Sequence, residues 1–333
     1  MWFETLTGFQ EEDGSADGVA ARFVVAGDRI TSTVNGRKMR SGWFEIPTLA
    51  ELRHRRNQLH PGGRRHRLAL RLGEVVADVR DLHTDPANAG AFFQVASQFN
   101  TLEMVSPSVT PEQGIDRYEH DLTQGPACAV ACGAGTIYRN YLVPLTTGPG
   151  QVIGQSADHQ INCLTDLAAA LGVDIEMRNG YALPSTAALG QVNAVLAGVD
   201  EQVRDQLMSQ LRIGLQWNTE VTLNGAGHTV TQAYCSALPV AYSNHSENLW
   251  EPFARLVLDG AYEATLAAAE LNADATGNRD VFLTLLGGGA FGNRTDWILA
   301  AITRATAIFA EADLNLAIVS HGSANPLLRP LLS

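Results

Sequence analysis

The stretch Leu285-Leu-Gly-Gly-Gly-Ala-Phe-Gly-Asn293 narrows the folding options of this chain more than any other. It lies between an apolar, strand-like run over 280–286 and a segment over 295–310 whose apolar residues recur at helical spacing. Strand, glycine loop and helix in that order make an α/β unit. Gly287, Gly289 and Gly292 satisfy G-x-G-x-x-G, a spacing that lets the backbone turn sharply and aim free amides and a helix dipole at an anion. A dinucleotide fold also needs an acidic residue about 20 positions on, at the end of the next strand. Here Val319-Ser-His-Gly322 ends that strand without one. The dinucleotide fingerprint normally opens its domain, whereas this loop comes late. The expectation that survives is a phosphate cradle.

Two further segments support a ligand site. Val95-Ala-Ser-Gln-Phe-Asn-Thr-Leu-Glu-Met104 reads as an apolar strand that stops on Gln98, Asn100 and Glu103. Polar side chains at a strand's carboxyl end stand where open α/β sheets bind ligands, although they also serve as turn caps. Thr123-Gln-Gly-Pro-Ala-Cys-Ala-Val-Ala-Cys-Gly-Ala-Gly-Thr136 reads as a loop followed by a helix of very small residues, with Pro126 in its first turn. Small residues permit close approach by a ligand, and equally by another backbone.

The rest of the chain alternates strand and helix patterns, which favours an α/β sheet with helices on its faces. Residues 1–65 read as an N-terminal β-rich subdomain: β-prone Trp2–Phe9, then Arg29–Val34, the Asn35-Gly36 hairpin turn, and Gly42–Ile46. Thr48 is placed to cap a short helix over 51–57. Residues 66–333 read as the main α/β domain. Its strands are expected at 68–72, 74–79, 91–97, 281–286 and 315–319, and its helices from Thr110 and at 126–138 and 295–312. A largely helical insert is expected at about 146–279, with helices at 161–171, 185–197, 201–214 and 250–272. A second hairpin is expected within it, with Val221–Leu223 and Val230–Val240 around Asn224-Gly-Ala-Gly227.

Composition excludes some functions. Lys and Arg total 23 against 35 Asp and Glu, a net charge of −12, which argues against broad binding to nucleic acid or an anionic membrane. One basic turn stands apart, Arg53-His-Arg-Arg56 and Arg64-Arg-His-Arg67 around Pro61-Gly-Gly63, readable as a solvated loop or a phosphate contact. No stretch approaches the roughly 20 apolar residues of a membrane span. Met1-Trp-Phe-Glu-Thr5 lacks the pattern of a signal peptide. Four cysteines without a Cys-x-x-Cys pair fit reduced thiols in a cytoplasm, and no metal or cofactor is implied.

Taken together, the three segments resemble a divergent macrodomain, the ADP-ribose-binding α/β/α module. Val95–Asn100 resembles its asparagine-bearing strand end, Thr123–Gly135 more loosely its first glycine loop, and Gly287-Gly-Gly-Ala-Phe-Gly-Asn293 its late second loop. The resemblance implies a three-layer α/β/α mixed sheet, with ADP-ribose or an ADP-ribosylated macromolecule as partner and hydrolysis of an ADP-ribosyl linkage as activity. It implies Asn100 as the residue ordering the distal ribose or a catalytic water. Asp78 or Asp81 would accept the adenine amino group. The remaining ligand contacts would be Gln98, Gln124, Gly125, Gly287, Gly288, Gly289, Ala290, Phe291, Gly292 and Asn293. The first loop departs from the family, because Gln124-Gly-Pro-Ala-Cys128 replaces a run of glycines.

Two alternatives stand beside this. Cys128, near a helix start and preceded by Gln124, fits a thiolate nucleophile with an oxyanion donor, its base being His228, His245 or His321. A reader module that binds ADP-ribose without turnover needs only the cleft.

Overall fold

Phe92 and Phe93, adjacent in one strand, are both fully buried yet belong to different cores, so the strand between them has a packed layer on each side. The computed structural model describes residues 1–11, 16–59, 69–147 and 150–332. Seven strands build the large sheet: β1 (Trp43–Glu45), β2 (Arg71–Val76), β3 (Phe92–Ala96), β4 (Gly214–Glu220), β5 (Thr229–Cys235), β6 (Asp280–Leu283) and β7 (Asn315–Ser320). Their spatial order is β1-β4-β5-β3-β6-β7-β2. The five strands from β5 to β2 run parallel, and β4 and β1 add an antiparallel edge. The sheet is mixed, as expected.

Helices cover both faces. In chain order they are α1 (Leu49–Leu59), α2 (Val79–Thr84), α3 (Gln124–Ala131), α4 (Thr186–Ala197), α5 (Glu247–Thr276) and α6 (Thr295–Ile308). On one face α1, α4, α5 and α6 pack against Phe92, Val281, Leu283, Leu316 and Ile318. On the other, α2 and α3 pack against Phe93, Val95, Tyr234 and Phe282. Each side chain buried this way contributes about 2 kcal/mol. The centre of the first layer is the long helix α5, whose run Ala261–Ala269 is buried throughout and which stops at Gly277 in the left-handed conformation, φ 79°. Among the described residues no helix is long and apolar enough to cross a membrane.

Several expectations need correction. Trp2–Phe9 is not a strand: Trp2–Thr7 is a helix closed by Gly8 at φ 82°, because Phe3 and Leu6 share one buried face three residues apart. The Asn35-Gly36 turn does join two strands, Arg29–Ser32 and Lys38–Arg40, in a small antiparallel sheet with Phe23–Ala26. The run expected as its partner, Gly42–Ile46, instead supplies β1 at the edge of the large sheet. Gly42 permits this, since at φ 77° a Cβ there would lie 1.9 Å from the Trp217 carbonyl oxygen. Both β1 and α1, which precede residue 65, lie in the main layers. The segment 146–279, expected as a largely helical insert, carries α4, α5 and the helix Glu201–Met208, and it also contributes β4 and β5 to the large sheet. A hairpin does occur around 224–227, between β4 and β5, but its first arm is Gly214–Glu220 rather than the expected Val221–Leu223. The helix from Thr110 is a single 3-10 turn, Pro111–Gln113, ended by Gly114 at φ 89°. The two strands expected at 68–72 and 74–79 are one, β2; Leu68 lies outside the described residues.

The basic turn divides likewise. Arg53 pairs with Asp205 and Glu263, Arg55 with Glu45 and Arg56 with Glu270, so these guanidiniums tie α1 to its neighbours and are not free for phosphate. Pro61-Gly-Gly63 and Arg64-Arg-His-Arg67 lie outside the described residues.

Candidate functional site

At the carboxyl ends of β3 and β6 the backbone diverges and leaves a cleft of about 270 Å³. This is where parallel α/β sheets place ligands. Its walls are the turn after β3, the first residues of α3, the glycine loop after β6, and the rings of Tyr181 and Tyr242.

The glycine loop is anchored from below. Tyr262 of α5 donates its hydroxyl proton to the Thr284 carbonyl (2.7 Å) and accepts from the Leu286 amide (2.9 Å). The loop then closes on itself. The Asn293 amide donates to the Gly287 carbonyl at 2.9 Å, and the Asn293 side chain donates to the Leu238 carbonyl at 2.8 Å. Gly287 must be glycine, for at φ 74° a Cβ would sit 2.5 Å from Ala237 and 2.6 Å from Asn293. Between these clamps the amides of Gly289, Ala290 and Phe291 have no acceptor among the described residues. Gly289 and Ala290 are exposed and line the cleft. Phe291 joins Tyr181 and Tyr242 in an aromatic wall, with ring centroids 5.2 to 5.7 Å apart. Helix α6 starts only at Thr295, with Arg294 as its cap, so the loop's own amides, rather than that helix's dipole, face the cleft.

The opposite wall brings a helix N-terminus. Gln124 accepts from the Ala96 amide (2.9 Å) and donates to the Gln94 carbonyl (2.7 Å), stapling the first turn of α3 across the end of β3. Gly125 makes this approach possible: a Cβ there would lie 2.0 Å from the Ala96 carbonyl oxygen. Thr123, Gln124, Gly125 and Pro126 border the cleft, so the positive end of α3 points into it.

The turn after β3 is fixed at every residue. Gln98 accepts from the Met104 amide (2.7 Å), and Thr101 is held at φ 64°. Asn100 accepts from the Leu102 amide (3.1 Å) and donates to Gln160 (2.9 Å). Asn100, expected as the ribose-ordering or catalytic residue, is fully buried and does not line the cleft. The turn presents Glu103 instead. Its carboxyl is about 1% exposed, borders the cleft, and has no hydrogen-bond partner on either oxygen among the described residues. The nearest cation, Arg139, stands at 3.9 Å. Burial outweighs that charge and raises the Glu103 pKa to about 8.

Other expected residues are placed elsewhere. Asp78 caps α2 by accepting from the Arg80 amide and pairs with the Arg80 guanidinium at 2.6 Å, which holds its carboxyl below the usual range. Asp81 is an exposed residue in the first turn of α2. Neither borders the cleft. Gly288 packs near Ile298, and Gly292, at φ 69°, turns the chain beside Ala241; with Asn293 they shape the loop without lining the cleft.

Cys128 lies away from the cleft lining as well. It is the fifth residue of α3, fully buried, and burial pushes its thiol far above the ordinary range, the reverse of an activated nucleophile. Gln124 is committed to β3, while His228 bonds the His83 carbonyl and His245 the Pro184 carbonyl. Cys128→Ser is therefore expected to lower stability by about 1–2 kcal/mol, from a buried hydroxyl lacking a partner, and to leave ligand binding by the folded protein within a few-fold. Calorimetric binding by a folded variant checks this; loss of binding would contradict a packing role.

Glu103 was within sight in the sequence as the last member of Gln98, Asn100 and Glu103. What set it apart is burial without a hydrogen-bond partner among the described residues, which no local pattern encodes.

No family model matches the sequence, and no curated protein does. Among solved structures, the chain is similar to the poly(ADP-ribose) glycohydrolase of Thermomonospora curvata bound to the inhibitor ADP-HPD, with 14% identity and a TM-score of 0.43 over 96% of this chain and 97% of that one. It is also similar to the poly(ADP-ribose) glycohydrolase of Deinococcus radiodurans in complex with ADP-ribose, with 9% identity and a TM-score of 0.44 over 87% and 95%. A likeness this distant carries no residue assignment across.

Proposed function

We propose that the cleft binds ADP-ribose, or a close nucleotide-diphosphate relative, and that the chain hydrolyses an ADP-ribosyl linkage with Glu103 as the acid. The supporting observation is one juxtaposition. A buried carboxyl and the amides of Gly289, Ala290 and Phe291, all without partners among the described residues, share a cleft with the positive end of α3. The amides suit a diphosphate, whose charge needs donors without requiring cationic side chains. The aromatic wall of Tyr181, Tyr242 and Phe291 suits a flat base.

Glu103 is protonated at neutral pH, so it can give its proton to the departing group as the bond to the anomeric carbon breaks. Water adds to that carbon, and the carboxylate left behind takes the proton that water sheds. The carboxyl is thereby restored. Burial serves the chemistry by keeping a carboxylic acid in its neutral form where a solvated glutamate would be ionised.

Calorimetric titration with ADP-ribose, followed by turnover assays on ADP-ribosylated protein and nucleic acid, tests this reading. Saturable binding with release of ADP-ribose supports it; binding without release would make the chain a reader, and absence of both would remove the proposal. Gly289→Val sharpens the test. A Cβ there meets no atom within 4 Å, so the melting temperature should hold, while ADP-ribose affinity should fall by about 100-fold as the side chain fills space beside the amides. Unchanged affinity in that variant would place the diphosphate elsewhere.

A further inference from the structure

Arg139 is a fully buried guanidinium that the chemistry above does not use. It stands on a single π-helical turn, Tyr138–Leu142, an uncommon backbone form that often accompanies functional sites. Its Nε donates to the Thr101 carbonyl at 3.1 Å, and Nη2 donates to the Thr136 hydroxyl at 3.3 Å. Its plane lies over the Tyr234 ring, 3.5 Å from the centroid. Nη1 has no hydrogen-bond partner among the described residues, and Nη2 is 3.9 Å from the Glu103 carboxyl. A buried arginine remains charged, so its position is costly unless that charge is used.

The two interactions point the same way. Thr101 is a β-branched residue at φ 64°, a strained conformation that persists only where its surroundings hold it. Arg139 holds it by the carbonyl, and Gln155 adds a bond from its Nε2 to the Asn100 carbonyl (3.0 Å) and another to the Arg139 carbonyl (3.0 Å). Two residues beyond Thr101 the same turn delivers Glu103 to the cleft.

We propose that Arg139 is the positioning residue for Glu103: it locks the Thr101 turn that presents the carboxyl, and it sets a fixed positive charge behind that carboxyl that favours release of the proton toward the cleft. This rests on the reading of Glu103 as the acid. Among the described residues Arg139 is the cation whose charge acts on Glu103; Arg117 and His120 border a second cavity beside Glu103, with Arg117 donating to the Gln113 carbonyl at 2.9 Å and His120 lying 3.6 Å from Glu119. Tyr118, whose hydroxyl accepts from the Glu103 amide, Cys128 of α3 and Tyr234 of β5 are all pushed up by burial and stay neutral. Asp121, across the cleft wall, is held by the amide and hydroxyl of Thr123.

The test compares the full-length protein with Arg139→Lys and Arg139→Met, following the Glu103 carboxyl by isotope-edited infrared titration with Glu103→Gln as the reference for its band. Removing the charge should move the midpoint up by about one pH unit or more, and lysine should restore it to within about half a unit. The basic limb of the kcat/KM profile should move by the same amount, whereas a purely structural role would lower kcat/KM equally at every pH. Should Arg139→Met not fold, Arg139→Gln, which keeps a donor for the Thr101 carbonyl, takes its place. An unchanged or lowered midpoint in a folded neutral variant overturns the proposal. The titration reads the carboxyl directly, so a wild-type protein without ADP-ribosyl turnover would remove the proposed function and still leave this inference decided.

Discussion

Glu103→Gln is expected to lower turnover of an ADP-ribosylated substrate by about 1,000-fold, the scale of losing a positioned general acid, while ADP-ribose binding stays within a few-fold. Glutamine has nearly the same shape and fills the same buried space, so packing changes little. What disappears is the transferable proton. The parent's activity should also fall as pH rises through about 8, where Glu103 loses that proton. Stability gives an independent check with a definite sign. The folded pKa is raised above the ordinary 4.5, so the proton's stabilising contribution is fully present below pH 4.5 and is lost as pH rises toward about 8. The loss is about 1.4 kcal/mol for each pH unit over which only the folded form keeps its proton. Glu103→Gln does not titrate, so its melting-temperature advantage over the parent should grow from pH 5 to pH 8. A parent that is slower and less stable at high pH would be a familiar cost of a buried catalytic group. A variant with parental turnover would remove Glu103 from the chemistry.

The second large effect belongs to Gly125→Ala. A single methyl there would meet the Ala96 carbonyl oxygen at 2.0 Å and the Glu103 side chain at 3.2 Å. The first contact is with backbone and cannot be relieved by a rotamer change. Either α3 withdraws from the end of β3, breaking the Gln124 staple, or β3 bends. The expected loss is about 3 kcal/mol, at the upper end for overpacking a core, read as a lowered denaturation midpoint with an unchanged slope. Folded protein that remains should bind ADP-ribose more weakly, because the positive end of α3 has moved. An unperturbed midpoint would mean that the helix does not need this close approach.

These residues also mark how much was legible in the sequence. The unit from β6 through the glycine loop to α6 and β7 was readable because glycine spacing, an apolar run and helical periodicity are all local. Gln98, Gln124, Gly125, Gly287, Gly289, Ala290 and Phe291 were expected at a ligand site, and the structure gathers them around one cleft. The reasons for some were less accurate. Gln124 and Gly125 hold helix to strand, and Gly287 shapes its loop; the cleft results from that packing. The burial of Asn100 was not legible, because a polar residue at a strand end looks the same whether it faces a ligand or closes its own turn. Asp78 offered the same ambiguity, and it pairs with Arg80 two residues on. Glu103 lay between Leu102 and Met104 with nothing local to show that it would be enclosed. Its environment comes from Arg139, Tyr118 and Gly125, which only the tertiary fold brings near. The placement of β1, β4 and β5 was hidden for the same reason, since strand pairing across long separations leaves little trace in a single sequence.

The proposed chemistry requires a nucleotide diphosphate in the cleft with its ribose facing Glu103. The most direct measurement is a crystal structure of the full-length chain with ADP-ribose bound. The account predicts the diphosphate oxygens within hydrogen-bond distance of the Gly289, Ala290 and Phe291 amides, with the distal ribose beside the Glu103 carboxyl. ADP-ribose bound away from this cleft, or a cleft that stays empty in folded protein at saturating ligand, would contradict it.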